Sequence, residues 1–162
     1  MEKDILWSVN HPFLINMDYV FQDFFRIYFI MPFIKGGMIF QHLQEQAKAF
    51  SEKQVKFFAV QVALGLGHLH QKNVIYRDLK PENILLNEDG YLLVCDFGIS
   101  KLIDPEEAEL AYDFIGTPEY MAPEMLRAKS GKTGYTYSVD WWALGTLIYE
   151  LLIGMPPFYH HN

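Results

Sequence analysis

The sequence predicts an α+β fold, in which short strands come first and helices follow. Three observations support this prediction. Two runs rich in aromatic and β-branched residues lie near the amino end, a capped amphipathic helix lies in the middle, and an apolar helix lies near the carboxyl end. The 162 residues correspond to one domain, and a hydrophobic content of 51% is sufficient for a buried core.

The first part of the chain is predicted to contain a helix end and a β-hairpin. Residues 1–9 have apolar side chains at the spacing of one helix face. Residues 13–21 and 25–31 are rich in Phe, Ile, Tyr and Val, and they predict two strands of a hairpin. Gly36–Gly37 then marks a flexible break, after which the pattern becomes helical.

Two helices are predicted after this break. Residues 38–46 predict a short helix. Ser51 and Gln54 have the spacing of a capping box, in which each side chain bonds to the main chain of the other residue. From residue 55 onward, apolar residues recur every three or four positions over about five turns. A long amphipathic helix is therefore expected after Ser51.

A second hairpin is predicted over residues 84–86 and 91–94. The intervening Asp89–Gly90 dipeptide favours a two-residue type I′ turn. With that turn, Asn83 is paired with Asp96 at the open end of the hairpin. An amide oxygen beside a carboxylate suits Mg²⁺, which prefers oxygen ligands. Two polar residues that merely end two strands would explain the same pattern.

The last part of the chain is predicted to contain a loop region and a buried helix. Residues 97–138 are irregular and polar, with Gly, Pro and Thr throughout. Residues 139–153 are apolar on almost every face, and they predict a helix that is buried all round.

Composition excludes several classes of function. The formal net charge of −7 argues against nucleic-acid binding, which needs a basic face. The single cysteine, Cys95, excludes a disulfide framework and fits a reducing compartment, so a cytoplasmic location is expected. The two longest apolar runs, residues 24–34 and 139–158, are interrupted by charges and prolines, so no membrane span is expected. The oligomeric state is left open.

Three motifs occur in the order and spacing found in eukaryotic protein kinases. Tyr-Arg-Asp-Leu-Lys-Pro-Glu-Asn begins at Tyr76, Asp-Phe-Gly begins at Asp96, and Ala-Pro-Glu begins at Ala122. The sequence therefore resembles the catalytic domain of this family. Lys80 within the first motif is typical of Ser/Thr kinases, and Tyr76 in the place of His resembles the AGC group.

The resemblance implies a truncated protein-kinase-like fold over residues 1–162. The chain would run from the end of the αC helix to just after the buried αF helix. Residues 1–34 would be a remnant of the N-lobe with the hinge, and residues 35–162 an incomplete C-lobe. We expect a fragment, a truncated gene product or an incomplete gene model, because the sequence contains neither the Gly-rich loop nor the nucleotide-binding Lys of the family.

The resemblance also implies a reaction, the phosphorylation of protein Ser or Thr residues with ATP and Mg²⁺. Asp78 would accept the proton of the substrate hydroxyl. Lys80 would neutralise charge on the transferred phosphoryl group. Asn83 and Asp96 would hold magnesium. The alternative is a pseudokinase-like module that acts by binding partners, since the loop and the Lys named above are missing.

Nucleotide contacts can be assigned by the same resemblance. A gatekeeper, two hinge positions and a residue beneath the adenine ring are expected, together with an acid of the first motif. Met38 stands where the family often has an acid that contacts the ribose, so weakened or altered nucleotide binding is expected. The assigned residues are, in chain order, Met31, Pro32, Ile34, Glu82 and Leu85.

Four regulatory positions follow from the resemblance. Glu2 aligns with the glutamate of the αC helix, although a solvated side chain is expected there. Asp113 stands four residues before Thr117, where AGC kinases usually carry a phosphorylated Ser or Thr. Arg77 is the residue that usually binds that phosphate. We expect Asp113 to act as a permanent, weaker substitute, because a carboxylate carries less charge than a phosphate.

A protein substrate is the partner that the resemblance implies. Glu82 and Glu150 match acids that hold basic residues upstream of the phosphoacceptor in several AGC kinases. A preference for substrates with a basic motif is therefore expected, weakened by Met38, which removes a third acid.

Overall fold

The computed structural model describes residues 7, 9–45, 49–104, 110–128 and 133–159. The predicted helix end at residues 1–9 lies outside the described residues except for Trp7 and Val9. Val9 is buried in the core.

The first predicted hairpin is confirmed, with shorter strands. Strand β1 (Tyr19–Gln22) pairs antiparallel with β2 (Ile27–Ile30). The turn is held by Asp23, whose Oδ1 accepts the main-chain N–H groups of Phe25 and Arg26, both at 2.7 Å.

Residues 13–15 are not part of this hairpin, although the sequence predicted a strand from residue 13. They lie beside the second hairpin, where Val94 donates its N–H to Phe13 O at 3.0 Å and Ile15 donates to Val94 O at 2.8 Å. Leu14, between them, is 1% exposed. Burial of Leu14 and Ile15 against the second hairpin therefore fixes this segment.

Both predicted helices after the break are confirmed. Helix α1 covers Ile39–Glu45, and helix α2 covers Glu52–Gln71. The capping box is present, since Ser51 Oγ accepts from Gln54 N and Gln54 Oε1 accepts from Ser51 N. Two unpaired N–H groups at the start of α2 are satisfied in this way.

The second hairpin is confirmed, but its predicted turn and register are wrong. Strand β4 (Ile84–Leu86) pairs antiparallel with β5 (Leu92–Val94), with Leu86 opposite Leu92. Asn83 is therefore opposite Cys95, whose N–H it accepts at 2.9 Å, and Asp96 lies one residue beyond the predicted pair.

The cause of the shifted register is Asn87. Its side-chain Oδ1 accepts the N–H groups of Asp89 and Tyr91, at 3.0 and 2.8 Å. Its main-chain oxygen accepts from Gly90, which has a φ of 83°. The loop between the strands thus has three residues, with glycine in the left-handed region, rather than a two-residue type I′ turn. Loops of this kind are the next most common hairpin connection after two-residue turns.

Residues 97–138 are more regular than predicted. Strand β3 (Val74–Ile75) pairs antiparallel with β6 (Lys101–Leu102). A short 3₁₀ turn covers Pro118–Tyr120, and helix α3 covers Pro123–Ala128. Proline at the first helical position is favourable for both of these elements.

The last helix, α4 (Ser138–Ile153), forms where it was predicted, but it is not buried all round. One face, which includes Leu147 and Leu151, packs in the main core with α2. The opposite face leaves Trp141 and Tyr149 more than two-fifths exposed. None of the described helices has the length and apolar character needed to cross a bilayer.

Candidate active site

The first site motif lies on the segment between β3 and β4. Asp78 is largely buried there, and its carboxylate is the centre of a polar cluster. Lys80 Nζ donates to Asp78 Oδ1 at 3.1 Å and to Thr117 Oγ1 at 3.0 Å. Thr117 in turn donates to Asp78 Oδ1 at 3.1 Å. The structure therefore brings Thr117, predicted as a regulatory position, beside Asp78 and Lys80 of the first motif.

Asn83 completes this cluster from the other side. It closes a 3₁₀ turn over Pro81–Asn83, and its Nδ2 donates to Asp78 Oδ2 at 2.7 Å and to Asp78 O at 2.9 Å. Both carboxylate oxygens of Asp78 thus accept hydrogen bonds, which fixes the orientation of the group.

Asp140, to which the sequence assigned no role, fixes the main chain of the same segment. Asp140 lies on α4 and is 1% exposed. Its Oδ2 accepts from Tyr76 N at 2.9 Å and bonds to His70 Nε2 at 2.8 Å, and its Oδ1 accepts from Arg77 N at 2.8 Å. Arg77 has a φ of 71°, which a non-glycine residue adopts only when its surroundings compensate. The signal in the sequence was a carboxylate near the start of a mostly apolar helix, which also contains Glu150.

The candidate metal ligands, Asn83 and Asp96, lie at the open end of the second hairpin. Asp96 has a φ of 59°, and its Oδ1 accepts the N–H of Gly98 at 3.1 Å. Burial, with the charges of Asp78 and Asp96 among the further causes, raises the pKa of Tyr76 well above its ordinary value. In the described part of the chain, no three His, Cys, Asp or Glu side chains form a metal-binding group. The candidate site therefore consists of one carboxylate and one amide.

A cavity of about 400 Å³ adjoins Asp96. Of the predicted nucleotide contacts, Met31, Pro32 and Leu85 line it, whereas Ile34 and Glu82 are not among its lining residues. Burial, followed by the charge of Asp96, raises the pKa of the Cys95 thiol to about 11. The complete lining is mostly apolar and consists of Ile15, Met31, Pro32, Met38, Leu85, Cys95, Asp96 and Phe97.

Arg77 and Asp113, two of the predicted regulatory residues, form an ion pair. Arg77 Nη1 donates to Asp113 Oδ2 at 2.9 Å, and Arg77 Nε donates to Ile99 O at 2.7 Å. The arginine side chain is 4% exposed, whereas that of Asp113 is 56% exposed. The hydrogen bond from Arg77 is the main cause that lowers the pKa of Asp113. Glu2, the fourth regulatory position, lies outside the described residues.

The two predicted substrate-binding acids lie in one cluster. Glu150 on α4 is 6% exposed, and no described residue bonds to its buried Oε2. Burial, and then the negative charges of Glu82 and Glu119, raise its pKa to about 7. Glu119, in the 3₁₀ turn before α3, was missed in the sequence because nothing there relates it to the other two acids.

Comparison with known proteins identifies the family. The chain matches the protein kinase domain over residues 1–162. It is 46% identical over 161 residues to Protein kinase 2 of Dictyostelium discoideum, covering 99% of this chain and 32% of that protein. It is 46% identical over 163 residues to the RAC family serine/threonine-protein kinase homolog of the same organism, covering 99% and 35%.

A mammalian protein is similar to the same degree. The chain is 49% identical over 159 residues to ribosomal protein S6 kinase alpha-1 of Rattus norvegicus, which covers 98% of this chain and 21% of that protein. The chain thus spans about a third or less of the length of these relatives. These matches show that the chain belongs to the protein kinase domain family, and one of the relatives is named as a serine/threonine-protein kinase.

Proposed function

We propose that this chain carries the catalytic loop of a Ser/Thr protein kinase, which transfers the γ-phosphoryl group of ATP to a hydroxyl of a protein substrate. The observation that carries the proposal is the convergence of Lys80, Thr117 and Asn83 on the Asp78 carboxylate. Phosphoryl transfer depends mainly on positioning and on stabilisation of charge. A fixed carboxylate beside an ammonium group provides both.

Asp78 is the group that would accept the proton of the substrate hydroxyl. Its two oxygens accept hydrogen bonds from Lys80 and Asn83, so the carboxylate keeps one orientation without substrate. An attacking hydroxyl that donates to it is thereby aligned before transfer, which lowers the entropic cost of reaching the reactive geometry.

Lys80 would offset the negative charge of the transferred group. Its ammonium group is anchored by Asp78 and by the hydroxyl of Thr117, while its side chain keeps 22% exposure. The positive charge is therefore both oriented and accessible. A preoriented charge needs no reorganisation when the phosphoryl group moves.

Asn83 and Asp96 are the residues that would hold Mg²⁺. Their amide and carboxylate oxygens are hard donors of the kind that Mg²⁺ selects, and Asp96 also lies in the cavity wall. Mg²⁺ held by these residues would neutralise part of the negative charge of the nucleotide phosphates. Asp96 is the lining residue that would hold the metal beside the phosphates of a nucleotide in the cavity.

The apolar part of the cavity would take the adenine ring. Met31, Pro32 and Leu85 supply apolar surface there. Hinge hydrogen bonds at Pro32 O and Ile34 N, and a nucleotide contact at Glu82, remain predictions from the family. Met38 lines the cavity in place of an acid, which favours weak binding of the ribose.

A substrate with basic residues is the partner that the acidic cluster favours. Glu82, Glu119 and Glu150 together present negative charge, and an arginine of the substrate would relieve their mutual repulsion. The use of ATP and the single free thiol of Cys95 favour the cytoplasm as the location.

The test is peptide phosphorylation by the full-length protein with radiolabelled ATP and Mg²⁺. Asp78→Asn is expected to lower kcat about 10²–10⁴-fold, because the proton acceptor is lost. Asp89→Asn, in the exposed loop of the second hairpin, is the matched control and should leave kcat unchanged. Equal rates for Asp78→Asn and the unmodified protein would overturn the proposal. Binding of Mg-ATP without transfer would favour the partner-binding module instead.

A further inference from the structure

Tyr135 is a buried phenol that contacts both partners of the Arg77–Asp113 ion pair. Its side chain lies in the core cluster around α3, and the residue is 2% exposed. Its hydroxyl accepts from Arg77 Nη1 at 3.1 Å and donates to the main-chain oxygen of Asp113 at 2.8 Å. Burial raises the pKa of this phenol, so the donating proton is retained at neutral pH.

The main chain of Tyr135 binds the same segment a second time. Tyr135 and Ala111 exchange both of their N–H···O bonds at 2.9 Å, as an isolated antiparallel bridge. The hydroxyl bond to Asp113 thus lies two residues beyond this bridge. Tyr135 therefore holds residues 111–113 at two points.

Two glycines allow this close approach. A Cβ on Gly134 would lie 2.5 Å from Leu110 Cβ, and a Cβ on Gly116, where φ is 119°, would lie 2.9 Å from Arg77 O. The segment 110–116 is thus packed tightly against Tyr135 at one end and against the catalytic loop at the other. A displacement of Asp113 would therefore disturb the contacts at both ends of the segment 110–116.

The hydroxyl has a separate role from the carboxylate of Asp113. The Asp113 side chain is exposed, so water and salt weaken its attraction for Arg77. The Tyr135 hydroxyl is buried, and the bonds that it makes are protected from that competition. If the hydroxyl were absent, a buried N–H of Arg77 and the oxygen of Asp113 would each lose a partner.

We infer that Tyr135 is a positioning residue for phosphoryl transfer, because its hydroxyl keeps Arg77 and the segment 110–116 in place beside Asp78. The inference rests on the proposed function. The order of the segment 110–116 then does not depend on the charge at position 113 alone. The single negative charge of the Asp113 carboxylate is therefore sufficient to keep the segment in place.

Hydrogen exchange in Tyr135→Phe tests whether the hydroxyl holds the segment 110–116 in place, and this measurement needs no enzymatic activity. The variant keeps the buried ring and removes only the hydroxyl. Exchange of the amides at residues 111–116 should rise about tenfold, which corresponds to about 1.4 kcal/mol. Tyr137→Phe is the matched control, since its hydroxyl contacts Asn73 Oδ1, at 3.4 Å, rather than Arg77 or Asp113. Exchange as slow as in the unmodified protein would overturn the inference.

Kinetics of the same full-length variant separate positioning from a structural role. In Tyr135→Phe, kcat for a peptide should fall about tenfold while KM stays within about twofold. Thermal unfolding should show that Tyr135→Phe and Tyr137→Phe are both folded at the assay temperature, although the loss of two buried bonds lowers the midpoint of Tyr135→Phe further. Faster exchange with an unchanged kcat would overturn the positioning role. If the unmodified protein transfers no phosphate but exchange at residues 111–116 still rises in Tyr135→Phe, the proposed function is wrong. The hydroxyl then still holds the segment 110–116.

A second variant covers the case in which Tyr135→Phe does not fold. Asp113→Asn keeps the main-chain oxygen that Tyr135 binds and weakens only the exposed ion pair. Amides 111–113 should then stay protected, because the buried hydroxyl bond is intact. Complete loss of their protection in Asp113→Asn would show that the carboxylate alone holds the segment, and it would overturn the inference.

Discussion

The main-chain N–H of Arg77 donates to the buried Oδ1 of Asp140 at 2.8 Å, although 63 positions separate the two residues in the sequence. The bond joins the segment that carries Asp78 to the last helix and holds a residue whose φ is 71°. Since strained backbone conformations persist only where neighbours stabilise them, Asp140 determines the shape of the loop that presents Asp78.

Replacement of Asp140 by Ala should therefore unfold this loop. Two buried N–H groups, of Tyr76 and Arg77, would lose a charged acceptor. We expect the free energy of unfolding to fall by about 3–5 kcal/mol in urea titrations, with loss of kinase activity. Glu88→Ala is the control, because the ion pair of Glu88 with Lys35 is exposed and should change stability by less than about 1 kcal/mol. A stability loss as small as that of the control would refute this role.

Thr117→Val should impair catalysis without unfolding the protein. The variant keeps the shape of the side chain and removes the hydroxyl that bridges Lys80 and Asp78. We expect kcat to fall about tenfold and the KM for ATP to change by less than about threefold, because the lost bonds orient reacting groups. Steady-state kinetics measure both, with Thr133→Val as control, since Thr133 is exposed. An unchanged kcat would show that Lys80 and Asp78 hold each other without help.

Motifs and periodicity predicted most of the fold, because each helix and hairpin carries its own local signal. The capping box at Ser51 and the helix after it formed as predicted. The error at the second hairpin has a local cause as well, since the Asn87 side chain outweighs the turn preference of Asp89–Gly90. Asp140 and Tyr135 were missed because their importance depends on contacts across the chain, which no local pattern encodes.

Asp113→Ala should lower kinase activity. Phosphatase treatment should not lower activity by removing a phosphate at this position, which is an aspartate. The variant removes the acceptor that Arg77 Nη1 binds at 2.9 Å and leaves a buried guanidinium with one charge partner fewer. We expect a fall of about tenfold in kcat, measured on the full-length protein. Asp113→Glu keeps the charge and should retain more activity than Asp113→Ala. Full activity of the Ala variant would exclude Asp113 as a substitute for a phosphate.

Acidification should weaken the preference for basic substrates. The pKa of Glu150 lies near 7, so its carboxyl is neutral below that pH and charged above it. The KM for an arginine-containing peptide should therefore fall as the pH rises through about 7, whereas the KM for the matched alanine peptide should not. Glu150→Gln should remove the difference. If the variant kept the full pH dependence, another group would be responsible.

The ionisation of Glu150 that favours binding of a basic substrate should lower the stability of the folded protein. The folded pKa of Glu150 is raised from the ordinary value of 4.5 to about 7, so between these pH values the folded protein binds more protons at this site than the unfolded chain does. The free energy of unfolding should then decrease as the pH rises from about 4.5 to about 7. Denaturant titrations at several pH values should give a smaller decrease for Glu150→Gln than for the unmodified protein, because an amide does not ionise. Equal slopes for the two proteins would show that the buried carboxyl is paired with a cation in solution.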